Sequence, residues 1–282
     1  PGRPSESVKA RYFEENNASF STPQQVGTLM MPRNESTVPG GRTDRYSRIE
    51  NDTKSWYRDY YQKYGTDRND LLSNPEVLFQ TFALDMANIR ALRRLPVDRQ
   101  IARVLDVGCG SGPGILSFIR LGFKPANLAG IDLIPERIDA ARAGLPGVDF
   151  RSESADALSH PSDSFEIVYE SGLFTAVMDE SLAKGMADEM IRVAKPGSFI
   201  VLVDWRYRKP RNPNYAGLSL KRLRRLFEVG RRTTFVAQER GSLIPPLGRF
   251  LSRRAPSLYF VVQGLLPFAV GQTTTVIQKN RE

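Results

Sequence analysis

The sequence predicts an α/β protein built on a doubly wound, mostly parallel sheet. Three observations carry this expectation. The chain has 282 residues and is 40% apolar, enough to bury one sizeable core. From Ile101 onward, strand and helix signals alternate in strict rotation, the pattern of a parallel sheet covered on both faces. The stretch RVLDVGCGSGPG runs from an apolar strand signal directly into closely spaced glycines, as at a tight strand-to-helix turn.

The elements follow in order. Residues 1–52 are rich in Ser, Asn, Pro, Gly and Arg without a sustained period, and read as a poorly ordered or lid-like arm. Residues 53–100 read as a helical cap. Its first helix carries Trp56, Tyr57, Tyr60 and Tyr61 at helical spacing and stops at Gly65. A second begins at Asn74 with Pro75 behind it, and Val77, Leu78, Phe82, Met86, Ile89 and Leu92 form its expected buried face up to Pro96. Residues 101–282 form the main domain. Strand signals are ARVLDV, LAGID, VDFRSES, FEIVYES, SFIVLVDW, TTFVAQE and TTTVIQK, with helices over 114–121, 135–143, 180–194 and 218–229. Between the last two strands, residues 240–272 hold Pro245-Pro246 and the apolar run SLYFVVQGLLPF. A segment this long and apolar is expected to pack on its own core, to roof an acceptor pocket, or to rest on an anionic membrane as a basic amphipathic element.

Composition excludes several classes. Cys109 is the only cysteine and His160 the only histidine, so disulfides, thiolate clusters and histidine-rich metal sites are excluded, and no metal is expected. His160 precedes Pro161 in an expected surface turn, which makes it a poor member of a catalytic triad. No window resembles a membrane span or a signal peptide, so a cytoplasmic location is expected. The net charge of +9 suits an anionic partner, but much of the excess sits at 221–232 and 249–254, where a solvated helix face is the simpler reading. Oligomeric state leaves no signal.

In an open parallel sheet, ligands bind beyond the carboxyl ends of the strands. Gly108, Gly110 and Gly112 occupy such a turn. The dinucleotide pattern Gly-x-Gly-x-x-Gly fails, because its third position is Pro113 counted from Gly108 and Ile115 counted from Gly110. The stretch resembles instead the first motif of the class I S-adenosylmethionine-dependent methyltransferases, Asp-x-Gly-x-Gly-x-Gly, carried here by Asp106, Gly108, Gly110 and Gly112 with Cys109 as a small loop residue. The resemblance implies S-adenosylmethionine as the cofactor. It assigns Asp106 to the ammonium group or its water, Asp132 to the ribose hydroxyls and Leu133 to the adenine face. Asp156 and the Ala157 amide fall at the positions that meet the adenine edge, and Glu170, Ser171 and Gly172 at the segment that passes the methyl group. EMIRVAKPGSFIVLVDW resembles the helix, Lys-Pro-Gly turn and fifth strand of the same family. The resemblance covers about residues 101–205 and the final strand, and implies a Rossmann-like sheet of seven strands with the last antiparallel.

Methyl transfer requires the acceptor in line with the sulfonium and, for a protonated acceptor, a base. Glu170 and Asp204 are the candidate catalytic residues, with Asp179 and Glu180 nearby and Tyr169, Trp205 and Tyr207 as walls. Nucleic acid is not an expected acceptor. The Pro-Pro motif of amino-group methylation is absent after strand four, Asn212-Pro213-Asn214-Tyr215 reads as a turn, and no second cysteine exists for pyrimidine chemistry. GTDRNDLLSNPEVLFQ resembles a segment of some bacterial methyltransferases and offers Arg68 and Asp70 to a polar acceptor. The favoured expectation is O-methylation of a small molecule or sugar unit in glycan or natural-product assembly. The alternatives are a lipid or prenyl-linked acceptor, and a non-catalytic scaffold that binds cofactor or nucleic acid.

Overall fold

The computed structural model describes residues 74–208 and 215–281, together with Asn51, Ser55, Leu71 and Leu72. The N-terminal arm, the aromatic helix, Arg68, Asp70 and the Asn212–Asn214 turn lie outside the described residues. The first described helix, α1 (Pro75–Leu92), begins where the Asn74 side chain accepts the Glu76 amide at 3.1 Å.

The buried face of α1 differs from the expected one. Ala83, Ala87 and Ala91 are fully buried, whereas Phe82, Met86 and Ile89 are 50%, 38% and 41% exposed. The expectation followed the large apolar residues. Spacing of four puts the alanines in one stripe, and a helix approaching a sheet closely buries the stripe with the smallest side chains. Thr274 donates its hydroxyl to Asn88 Oδ1 at 2.6 Å across that contact.

Seven strands form one sheet: β1 (Val104–Val107), β2 (Leu128–Asp132), β3 (Asp149–Ser152), β4 (Phe165–Ser171), β5 (Ala194–Trp205), β6 (Thr233–Arg240) and β7 (Gln272–Lys279). Their order is β3-β2-β1-β4-β5-β7-β6. β1 to β5 are parallel, and β7 runs antiparallel to both β5 and β6. The connecting helices are α2 (Pro113–Arg120), α3 (Pro135–Gly144), the single turn α4 (Leu173–Ala176), α5 (Glu180–Val193) and α6 (Leu220–Leu226). Every residue of β1 and β2 is buried, as a parallel sheet covered on both faces requires. The Lys-Pro-Gly element is a bulge inside β5 rather than a turn before it. Phe165 pairs with Ala194 and Ile167 with Phe199, so the chain between loops out of register and turns at Gly197, φ +79°.

Register fixes what the strand ends present. Asp106 lies beside Tyr169, and Val107 beside Glu170, which itself pairs with Leu202. Neighbours in a parallel pair share a face and alternate residues switch faces. Asp106 and Tyr169 therefore point to one side of the sheet, and Glu170 and Asp204 to the other.

His160 is not on the surface. It is 2% exposed, packed edge-on against Phe165 with centroids 5.1 Å apart, and lies between Asp149 and Glu153 at 3.7 and 3.5 Å. Closure of the β3–β4 connection over the sheet buries it, and no local pattern announces such a contact.

The 240–272 segment folds as two helices, α7 (Pro245–Arg254) and α8 (Tyr259–Leu265). Since β6 runs with β5, this segment sits at the sheet's carboxyl end, where the turns after β1 and β4 also lie. Its inner face packs on α1: Leu243, Leu251, Tyr259 and Val270 gather around Ala83, and the Phe79 and Tyr259 rings lie 5.5 Å apart. The buried Tyr259 hydroxyl accepts the Leu243 amide at 3.1 Å. Burial of each large side chain here contributes about 1.5–3 kcal/mol. Packing on the protein's own core, the first of the three expected fates, describes this inner face. Among the described residues no helix is long and apolar enough to cross a membrane.

Candidate active site

The glycine turn follows β1 at the sheet's centre. Gly108 N and Cys109 N both donate to Ile131 O at 2.8 Å, which ties the turn to the end of β2. Gly110 has φ +56°, and a Cβ built on it would meet nothing within 4 Å. A bare left-handed residue facing open space is what a ligand pressed against backbone requires. Gly114, given no role in the sequence reading, is bare for another reason. Its Cβ would stand 2.3 Å from Asp106 Oδ2 and 3.2 Å from Tyr169 Cε1, so it lets α2 close over the Asp106 carboxylate.

Asp132 ends β2 and is 6% exposed. Its Oδ2 accepts the Gly110 amide at 3.0 Å, its Oδ1 accepts the Ile134 amide at 2.9 Å, and the Arg137 guanidinium stands 3.9 Å away. This carboxylate therefore joins the glycine turn to the β2–α3 turn. Leu133 beside it is half-buried. Farther along, Asp156 accepts from the Ser154 hydroxyl at 2.5 Å, and the Ala157 amide donates to Ser154 O at 3.0 Å. That amide, expected to face an adenine ring, is engaged within its own turn here.

The remaining acids are deeply buried. Asp106 is 2% exposed, and burial, with Asp132 as the second cause, pushes its carboxyl up to about 8. Glu170 is fully buried. Its Oε2 accepts the Leu173 amide at 2.9 Å, while Oε1 has no hydrogen-bond partner. Burial first and Asp204 second hold the Glu170 carboxyl well above its usual range. Among the described residues no basic side chain pairs with Asp106 or Glu170. Burial first, then Asp106 and Asp132, push the Cys109 thiol far up, so it is no nucleophile.

Asp204 is occupied. It accepts the Thr175 amide at 2.9 Å, the Thr175 hydroxyl, and the Trp205 amide at 2.6 Å. Burial raises its carboxyl to about 6, with these donors and Arg222 opposing. A carboxylate with this many donors braces the α4 turn, and its oxygens are turned inward. Arg222, missed in the sequence, completes that brace: it is 9% exposed, pairs with Glu180 at 2.8 Å, and donates to Phe174 O, Gly217 O and Val177 O. Ser171 is exposed at the mouth, while Tyr169 lies buried behind it. On α1, Asp85 lines a cleft of about 120 Å³ with Gly114 and Tyr169, and burial raises its carboxyl.

Comparison with known proteins bears on the family and the fold. Residues 104–197 match a family described as a methyltransferase domain. The phthiotriol/phenolphthiotriol dimycocerosates methyltransferase of Mycobacterium leprae is 28% identical over 178 residues, 59% of this chain and 63% of that protein. The 2-methyl-6-phytyl-1,4-hydroquinone methyltransferase of a Synechocystis species is 34% identical over 112 residues, 38% of this chain and 33% of that protein. This chain thus covers between one third and two thirds of these curated relatives. A crystal structure of a SAM-dependent methyltransferase from Methanosarcina mazei superposes with a TM-score of 0.50 at 21% identity, over 68% of this chain and 98% of that one. The stretch that carries the glycine turn thus matches a methyltransferase-domain family, and the fold is that of a solved SAM-dependent methyltransferase.

Proposed function

We propose that the protein is an S-adenosylmethionine-dependent methyltransferase acting on an acidic hydroxyl oxygen, phenolic or hydroquinone-like, of a lipid or prenyl-linked acceptor. One observation carries the cofactor assignment: Asp106 and Glu170, buried carboxyls with no basic partner among the described residues, lie at the carboxyl ends of β1 and β4, where the turn after β1 holds the open left-handed Gly110. Burial without a cation keeps these carboxyls protonated in the free protein, and a cationic ligand favours their ionised form. The residues fit this cofactor, because Glu170 Oε1 lacks a partner and the space over Gly110 is open.

In this reading Asp132 holds the ribose, Leu133 and Asp156 the adenine, and Asp106 the ammonium end, while Glu170 and Ser171 border the path of the methyl group. When bound, the cofactor supplies an electrophilic methyl on a sulfonium, which leaves as a thioether. The chain's own part is to exclude water, hold the acceptor in line, and keep negative charge close to the sulfonium. The acceptor loses its proton to solvent before transfer. Asp204 is engaged by Thr175 and Trp205, Glu170 is buried, and His160 is buried between Asp149 and Glu153. An oxygen that ionises readily needs the least help from a base, which favours a phenol, with a pKa of about 10, over a sugar hydroxyl. The phytyl hydroquinone and the phthiotriol dimycocerosates named for the two relatives support a lipid or prenyl-linked acceptor over the sugar unit expected from the sequence.

Incubation with methyl-labelled S-adenosylmethionine and a panel of prenylated hydroquinones, phenolic lipids and sugars tests this, with label position read by mass spectrometry. Label on a lipid oxygen supports the assignment. Label confined to sugars removes the acceptor class, and no label on any acceptor despite cofactor binding favours a scaffold.

A further inference from the structure

The outer face of the α7–α8 segment is unlike the rest of the surface. Tyr259 and Gln263, one turn apart on α8, point inward at 1% and 7% exposure. On the opposite side Val261 and Leu265 are 51% and 73% exposed, and Leu258 and Phe268 flank them at 48% and 69%. Phe250, 61% exposed on α7, shares its spacing of four with the exposed Arg254. Between Phe250 and Phe268 every large exposed side chain is apolar or arginine. Isolated exposed apolar residues are ordinary, but a contiguous group this size marks an interaction surface.

The charge around the patch is predominantly positive. No Asp or Glu occurs between Gly241 and Arg281, and Arg249, Arg253 and Arg254 precede the apolar run; Glu76 of α1 pairs with Arg249 and Arg253 at 3.3 and 2.6 Å, and Arg254 stands exposed beside them. On the other flank, Arg90, Arg94 and Arg240 line a cleft of about 470 Å³ with Phe260 and Gln263 of α8. The carboxylate in that cleft, Glu239, is paired with Arg94 at 2.8 Å. An interface with another protein ordinarily carries a rim of mixed charge. An apolar ridge with arginines on both flanks matches a surface of acyl chains beneath anionic headgroups.

We infer that this face docks on an anionic lipid bilayer, with Leu258, Val261, Leu265 and Phe268 entering the headgroup–acyl boundary and the arginines meeting phosphates. The α7–α8 segment rests on such a membrane, and no described helix is long and apolar enough to cross it. The segment shares the carboxyl end of the sheet with the glycine turn, and Tyr207, just past β5, donates its hydroxyl to Phe268 O at 2.8 Å, so docking brings the candidate site to the bilayer. The inference does not depend on the proposed reaction, because binding is read without cofactor or turnover.

The test is co-sedimentation of the full chain with vesicles of equimolar phosphatidylcholine and phosphatidylglycerol, and with pure phosphatidylcholine. The protein is expected to pellet with the anionic vesicles, weakly with the neutral ones, and less as salt rises. Leu265→Glu and Phe268→Glu should each weaken binding by about tenfold or more, since each removes a large apolar insertion. Arg254→Glu should weaken it by about fivefold or more. Ile101→Glu, at a 72% exposed position at the opposite end of the sheet, should change nothing, and unchanged melting temperatures show that the variants fold. Absence of binding to anionic vesicles, equal binding by a variant carrying both Leu265→Glu and Phe268→Glu, or self-association that this double variant abolishes without any vesicle binding would each overturn the inference.

Discussion

Asp132→Ala is the most informative perturbation of the candidate site. The carboxylate is nearly buried, and its two oxygens accept the Gly110 and Ile134 amides at 3.0 and 2.9 Å. Truncation leaves both amides without their charged acceptor, and each such bond is worth about 1.5–3 kcal/mol. Desolvation of the carboxylate offsets part of this, so the expected net loss of stability is about 2–3 kcal/mol, or roughly 5–10 °C in melting temperature for a chain of this size. The effect on cofactor binding is of similar size. Gly110 is released from its register, and the ribose acceptor is lost with it, so S-adenosylhomocysteine should bind about 100-fold more weakly. Asp132→Asn keeps one carbonyl oxygen but turns an amino group toward one of the amides, and should fall between wild type and Ala. Thermal denaturation and titration calorimetry on the same samples separate the two effects. A folded Asp132→Ala protein with wild-type affinity would refute the reasoning that this residue links the turn to the ligand.

Three further outcomes follow from the same geometry. Asp106 is held up at about 8 against an ordinary 3.8, so the folded state carries the extra proton between those values. Its contribution to stability is present below about pH 4 and is lost as pH rises toward 8, at up to about 1.4 kcal/mol per pH unit; S-adenosylmethionine, which favours the ionised form, should give a larger thermal shift at about pH 8 than at about pH 5. Gly114→Ala drives a methyl to 2.3 Å from Asp106 Oδ2, and denaturant unfolding should show a loss of about 1–3 kcal/mol, together with weaker cofactor binding. Arg222→Ala removes the cation that holds Phe174 O, Val177 O and Gly217 O, and should destabilise by about 3–5 kcal/mol; Arg222→Lys should not restore the loss, because an ammonium cannot reproduce the fork.

How much of this was legible follows from the range of each interaction. The strands and the turn from Asp106 to Gly112 were readable, because glycines and acids at fixed offsets from apolar runs are local facts. The α1 face was misread because periodicity weights large residues, whereas contact with β6, β7 and the 240–272 segment buries Ala83, Ala87 and Ala91. His160 was placed on the surface because its dipeptide resembles a turn, and only its contact with Phe165 buries it. Asp204 read as a free base because its partner Thr175 lies 29 residues away in sequence. Gly114 was visible as a fourth glycine, but the carboxylate it makes room for was not. For 240–272, the apolar run announced burial. The identity of its partner, α1, depended on contacts across more than 150 residues, such as Phe79 with Tyr259.

The central claim is that the buried acids and the bare glycine turn form a site for S-adenosylmethionine, and direct calorimetric titration of the full chain tests it. The account predicts saturable one-to-one binding of S-adenosylmethionine and S-adenosylhomocysteine, strengthened from about pH 6 to about pH 8 for the cationic ligand as Asp106 ionises, with no heat from NAD. Binding of NAD that S-adenosylhomocysteine fails to displace, or no binding of either sulfur ligand to the folded protein, would contradict it.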